Sequence, residues 1–366
     1  MSSTVAAPDS SAPGLEQILI SADSHIVEEP DFWVNRLPAH LREQAPPPYT
    51  GVNRRATKGL GDYVGGLDPT KRIAEMAVDG VSAEVLYPTA GLFVYNQTDV
   101  ALQQACFIAY NDWIIEYCRA ATEPERLVGL GMISLYDIDH AVRELERCRK
   151  NGLRGAMIWQ TPPASLSFTS QHYERFWEAA QAIEMPVSMH SLTGFGWARG
   201  GGAGVREMPE IERIRGNCVN IPAEAGNAVL DLIVSGVNRR YPRLQFVMVE
   251  SEIGWLPFFL DKLDFRFKRV PAGTEIAIDR PPSEYFNESW FATFFNDPVG
   301  TRYLSWWGQE NCMWSSDFPH NNSTWPHSRE VIQRDLGHLS AEARQRITHG
   351  NVAALYHLDI NTSTAR

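Results

Sequence analysis

Cysteine is sparse in this sequence: five residues among 366, at 106, 118, 148, 218 and 312, and none forms a C-x-x-C pair. Odd in number and widely spaced, they support neither a disulfide framework nor a structural zinc cluster, and a reducing cytoplasm is the expected compartment. Long apolar runs are also missing, since no segment reaches the roughly 18 residues that a membrane span requires. Residues 1–14 are rich in Ser, Ala and Pro but lack the basic start and apolar stretch of a secretory signal. They are expected to form a disordered tail ahead of a single domain over 15–366. Clustered positive charge is equally scarce. Arg54-Arg55 and Arg239-Arg240 are short, and the net charge of −11 argues against a nucleic-acid partner. A G-x-S-x-G nucleophile elbow and a P-loop are absent, and Gly194-Phe195-Gly196 lacks the third glycine of a dinucleotide-binding turn.

What the sequence does contain is an alternation of short apolar runs and amphipathic stretches, with enough hydrophobic residues (44%) to bury a large core. Eight runs read as strands: 17–23, 83–89, 127–134, 153–160, 186–190, 244–250, 291–295 and 311–317. Most are continuously hydrophobic, as expected of strands covered on both faces. Helical segments at 70–78, 99–121, 138–150, 173–183, 224–240 and 255–266 lie between them. The pattern predicts a (β/α)8 TIM-type barrel, with a doubly wound open sheet as the alternative that counting strands leaves open. Loop-like stretches at 45–69, 194–220 and 270–282 interrupt the alternation. The first two follow strands 1 and 5, so they are expected over the C-terminal face, where such barrels keep their active sites.

Polar residues fall where the strands end. Asp23-Ser24-His25 closes the run Ile18-Leu19-Ile20-Ser21-Ala22, and side chains two apart on a strand share a face, so Asp23 and His25 can serve one metal ion. Gln160, His190, Glu250 and Asp317 end four other strands, and in a parallel barrel these ends converge on one mouth. Trp159, Phe195, Trp197, Trp255 and Trp314 lie near those ends or in the loops that follow. They are placed to line an apolar pocket for a flat substrate, with Arg199 available to hold a carboxylate. His172 reads as a helix-start residue, His327 as surface, and His40, His140, His338, His349 and His357 as structural.

Three motifs in order carry a resemblance: Asp23-Ser24-His25; Trp177-Glu178-Ala179-Ala180 running to Met185-Pro186-Val187-Ser188-Met189-His190; and Trp314-Ser315-Ser316-Asp317-Phe318-Pro319-His320. Together they resemble the amidohydrolase-related family that includes aminocarboxymuconate-semialdehyde and γ-resorcylate decarboxylases. The likeness runs from about Ile18 to Gly350-Asn351-Val352-Ala353-Ala354-Leu355-Tyr356. It implies a metal-dependent barrel in which Asp23, His25, His190 and Asp317 hold one divalent ion, Zn²⁺ or Mn²⁺. It also implies a small-molecule substrate and a homodimer. Two positions depart from the family pattern. Better-known members carry His or Glu where this chain has Asp23, and the decarboxylases carry a proton-handling histidine after strand 6, where this chain has Glu250. Glu250 is then expected to act as a general base on metal-bound water or itself to approach the metal, with Asp317 sharing in proton transfer. His320 is expected either to orient Asp317 or to take over proton transfer. The implied activity is non-oxidative decarboxylation of an aromatic or unsaturated acid. Hydrolysis or hydration by metal-activated water is the alternative, and a non-catalytic binding barrel is the third.

Overall fold

Three helices begin where an aspartate can accept from their free amide groups. Asp68 accepts from the N–H groups of Thr70 and Lys71, Asp99 from Leu102 and Asp137 from His140, at the starts of helices Pro69–Asp79, Val100–Ala120 and Ile138–Lys150. Each such cap stabilises its helix by about 1 kcal/mol. The first of these helices stops at Gly80, whose φ of 70° suits a residue without a Cβ. A computed structural model of the chain describes residues 18–47, 64–196 and 209–359. The expected tail at 1–14 lies outside the described residues.

Eight strands follow one another as β1 (Ile20–His25), β2 (Ala83–Tyr87), β3 (Leu127–Met132), β4 (Gly155–Ile158), β5 (Val187–His190), β6 (Phe246–Val249), β7 (Trp290–Phe294) and β8 (Cys312–Trp314). They pair in parallel in chain order, β1 to β8. A strand order without reversal is that of a (β/α)8 barrel and excludes the doubly wound sheet. Several strands stop short of their apolar runs because their last residues bond to side chains instead of the ladder. The Gln160 amide donates to Thr193 Oγ1 at 2.8 Å, and the Glu250 amide to Thr293 Oγ1 at 3.1 Å. The helix expected over 224–240 is two, Ile221–Val234 and Val237–Arg240, divided at Gly236 with φ 77°. Among the helices that escaped the periodicity reading, Pro282–Ser289 and Ser328–Leu336 are the longest.

The ring closes without a regular ladder between β8 and β1 among the described residues. Three bonds at the mouth replace it: the His25 amide donates to Phe318 O at 2.6 Å, the Asp317 amide to Asp23 O at 3.0 Å, and the Ser316 amide to Ser21 Oγ at 2.8 Å. Among the described residues no helix is long and apolar enough to cross a membrane.

Candidate metal centre

Strand β1 shifts register between Ser21 and Ser24, and this irregularity sits beside Asp23. His25 Nε2 lies 3.4 Å from Asp23 Oδ1 and 3.4 Å from Asp317 Oδ1, while His190 Nε2 lies 3.7 Å from Asp23 Oδ1. The structure thus gathers residues from β1, β5 and the end of β8, all with no side-chain exposure. Both histidines are oriented from behind. His25 Nδ1 sits 2.8 Å from Pro88 O and His190 Nδ1 2.9 Å from Ser191 O. A carbonyl only accepts, so each Nδ1 carries its hydrogen and Nε2 is the ring atom turned to the cluster, a lone pair there once its proton is displaced.

These inward atoms have no other partner. Asp23 Oδ1 and Oδ2, His25 Nε2, His190 Nε2 and Asp317 Oδ2 are buried without a hydrogen bond among the described residues. An orphaned buried polar atom costs about 1–3 kcal/mol, so five on residues gathered around His25 call for something that satisfies them jointly. A divalent cation does so. Two carboxylates and two imidazoles suit Zn²⁺ or Mn²⁺. The charge balance agrees. Burial opposes a charge on His190, yet Asp23 raises it to about 9; burial and Asp23 together push Asp317 up to about 7 against the His25 ring. Asp23 is buried too, but His190 and His25 hold it below the usual carboxylate range. The cluster draws in positive charge, as protons or as metal.

His320 and Glu250 flank this quartet. His320 Nδ1 is 2.9 Å from Asp317 Oδ1, and its ring lies 4.0 Å from that of His25. Its Nε2 is 3.2 Å from Thr89 Oγ1, whose own proton goes to Ile26 O at 2.7 Å. The hydroxyl can therefore only accept, and His320 Nε2 holds a proton toward it. Burial lowers the His320 pKa, which favours the neutral ring. Glu250 Oε2 accepts from Ser191 Oγ at 2.9 Å and lies 3.5 Å from His190 Nδ1. Its packed surroundings push its carboxyl up, with the His190 ring opposing and the Asp317 and Asp23 charges adding.

Leu192, Glu250, Glu252 and Asp317 have φ of 67°, 55°, 53° and 56°, all left-handed and none glycine. Such strain gathers where the surrounding fold enforces it, commonly at functional sites. The four residues follow β5, β6 and β8 at the mouth. There a cavity of about 210 Å³ has Val27, Leu92, Phe93 and Leu192 as apolar walls, with Glu250 and His320 also facing it.

The aromatic lining expected from sequence is different. Trp159 and Trp314 are each 1% exposed and belong to the core; Trp159 packs edge-on to Tyr136, with ring centroids 5.0 Å apart. Phe195 and Trp255 are half-buried and lie outside the cavity wall; the Trp255 indole donates to Ser251 O at 2.8 Å. Trp197 and Arg199 lie outside the described residues. Gln160, 1% exposed, faces Ser251 Oγ at 3.4 Å. The supporting residues that sequence reading missed are Glu28, Arg72 and Thr89. A charged residue inside the apolar run Ala83-Glu84-Val85-Leu86 was the available signal, because a buried Glu84 needs a cation and Arg72 supplies it.

Known proteins resemble this chain in sequence and fold. The γ-resorcylate decarboxylase of Polaromonas sp. is 24% identical over 265 residues, covering 68% of this chain and 75% of its own length. The 2-amino-3-carboxymuconate-6-semialdehyde decarboxylase of Dictyostelium discoideum is 25% identical over 255 residues, covering 69% and 67%. Among solved structures, the 5-carboxyvanillate decarboxylase of Sphingomonas paucimobilis superposes with a TM-score of 0.70 at 23% identity, over 93% of this chain and 99% of that one. The dihydroxybenzoic acid decarboxylase of Polaromonas sp., solved with manganese and 2-nitroresorcinol, gives 0.65 at 19% identity, over 95% and 99%. At these identities the superpositions establish the barrel. Family membership rests on the sequence match over residues 25–358, which includes His25, His190 and Asp317 and begins just after Asp23; on that ground the chain belongs to the amidohydrolase family.

Proposed function

We propose that this protein is a metal-dependent carboxy-lyase that removes CO₂ without oxidation from a small aromatic or unsaturated carboxylic acid. The observation that carries this reading is a carboxyl group, Glu250, kept prone to protonation beside a cation-demanding quartet and facing the same apolar-walled cavity. The activities printed for the related decarboxylases point the same way.

Asp23, His25, His190 and Asp317 would hold the ion, which supplies positive charge to anchor a substrate carboxylate and a neighbouring oxygen. Leu92, Phe93 and Leu192 would pack the planar part of the substrate and exclude water. Ser191 fixes Glu250, and His320 holds Asp317 in place. Glu250 then gives its proton to the carbon bearing the carboxylate. The C–C bond breaks, its electrons return to the unsaturated system, CO₂ leaves, and Glu250 takes a new proton from solvent. The five free cysteines suit a reducing cytoplasm. Exposed Phe258 and Trp306 offer apolar surface that a second copy in a homodimer would cover.

The test is an assay of hydroxybenzoates and unsaturated acids for CO₂ release, beside amides, esters and lactones for water addition. CO₂ release with wild-type protein and a loss of about 10²-fold or more in kcat for Glu250→Gln are expected. Water addition without CO₂ release from any acid would overturn the reading.

A further inference from the structure

The closing seam of the barrel runs through the metal cluster. Asp23 and His25 stand on its β1 side and Asp317 on its β8 side, where the three mouth bonds replace a ladder. One buried side chain spans both edges from outside the ring. Arg72, in the helix Pro69–Asp79, is 0% exposed; its Nη1 donates to His25 O at 2.5 Å and its Nη2 to Phe318 O at 3.4 Å. The guanidinium also lies 4.8 Å from the Phe318 ring centroid. The carbonyls it holds belong to a metal-ligand candidate and to the residue after another.

A guanidinium in this position needs a counter-charge, and Glu84 of β2 supplies one through a short bond from Arg72 Nε. Glu84 Oε1 in turn accepts from Ser24 Oγ at 3.2 Å, and Ser24 Oγ contacts Ser21 Oγ at 2.9 Å and Ser316 Oγ at 3.1 Å. The network therefore reaches from the outer helix through β2 and β1 to β8. Its planar fork can address two carbonyls while facing a carboxylate, which a lysine ammonium cannot reproduce.

We propose that Arg72 is a positioning residue for the metal centre: by tying His25 O to Phe318 O across the unladdered β8–β1 seam, it makes seam closure and metal affinity one equilibrium. The inference rests on the assignment of the metal site and not on which reaction the site performs. A bound ion draws the two seam edges together from inside the mouth, and Arg72 draws them together from outside. Each should therefore strengthen the other.

The experiment measures Mn²⁺ affinity by competition with a chelator, and amide hydrogen exchange with and without Mn²⁺, in the full-length protein. In wild type, Mn²⁺ should slow exchange in peptides covering 20–26 and 312–320 far more than in peptides covering the laddered strands β4 and β5. Arg72→Met paired with Glu84→Gln removes both charges together, so no lone buried ion threatens folding. Metal affinity of this double variant should fall by about tenfold or more. Arg72→Lys, which keeps charge but not the fork, should also bind Mn²⁺ more weakly than wild type. A merely structural arginine would shift the midpoint and leave affinity alone. Wild-type Mn²⁺ uptake with equal affinity in the double variant, or with uniform protection across β1, β4, β5 and β8, overturns this inference alone. A wild-type protein that takes up no Mn²⁺ overturns the site as well.

Discussion

Removing the carboxylate of Glu28 should loosen one wall of the mouth while leaving the metal ligands in place. Glu28 is 5% exposed, and its two oxygens accept from the amides of Thr89 at 3.2 Å, Ala90 at 2.7 Å and Gly91 at 2.8 Å. Those amides open the short 3₁₀ helix Gly91–Asn96, which presents Leu92 and Phe93 to the cavity, and Thr89 touches His320. Glu28→Ala leaves three buried donors without an acceptor at about 1 kcal/mol each, so a loss of about 3 kcal/mol in urea unfolding is expected. Glu28→Gln keeps one acceptor oxygen but sets an NH₂ group against backbone donors, and about half that loss should follow. Substrate KM should rise with the displaced wall, whereas Mn²⁺ affinity should not change. The pH dependence has a defined sign. Burial raises the Glu28 pKa above its usual 4.5, despite the three amides that favour the charged form. The folded state then binds more protons than the unfolded one. The group's contribution is fully present below the unfolded pKa and is lost as pH rises through the folded value. Wild type should thus gain stability over Glu28→Gln as pH falls toward 4.5. A Glu28→Ala protein within about 0.5 kcal/mol of wild type would refute the reasoning.

Other expectations concern the centre itself. Stripping the metal with a chelator should lower the thermal midpoint and Mn²⁺ should restore it, by about 2.7 kcal/mol at a hundredfold excess over Kd; a midpoint indifferent to both would remove the cation from the quartet. His320→Gln should cut kcat by about 10²-fold or more with KM little altered if its proton serves the chemistry, whereas a change confined to metal affinity would reduce it to a support for Asp317. Glu252 combines φ 53°, an Oε2 without a hydrogen bond among the described residues, and a carboxyl raised to about 8 by burial and the Asp297 charge. Glu252→Asn suits the left-handed backbone and removes the charge, so a gain of about 1–2 kcal/mol in unfolding is expected, and a loss would contradict the strain argument.

The barrel was legible because its information is local and repeated. Apolar runs of strand length recur eight times with helical segments between them, three of which begin at aspartate caps; the doubly wound sheet shares that alternation, and only the pairing in chain order excluded it. The residues that converge on the mouth were legible for the same reason: a polar residue ending an apolar run is visible in one dimension, and His190 and Asp317 stand at such ends. The wall of the site was not. Trp159 and Trp314 sit next to those ends but pack into the core, because residues of one strand alternate faces and an apolar run does not say which face meets the mouth. Arg72 and Glu28 were invisible for another reason. Each looks like a solvated charge in its own segment and becomes buried only through partners 12 and 61 to 63 residues away.

The two carboxylates that depart from the family pattern reach the mouth by opposite routes. Asp23 has a short arm, and the register shift of β1 between Ser21 and Ser24 accompanies its approach to within 3.4 Å of His25 Nε2 and 3.7 Å of His190 Nε2. Glu250 has a longer arm and stands just past β6 on a left-handed residue, held by Ser191. A carboxyl donor in place of an imidazolium changes the charge after proton transfer, since it becomes an anion facing Asp23 and Asp317 instead of a neutral ring. The same two charges that raise its pKa then favour its return to the protonated form. In the decarboxylation proposed here this repulsion resets the acid after each turnover, and the departing CO₂, being neutral, adds nothing to it.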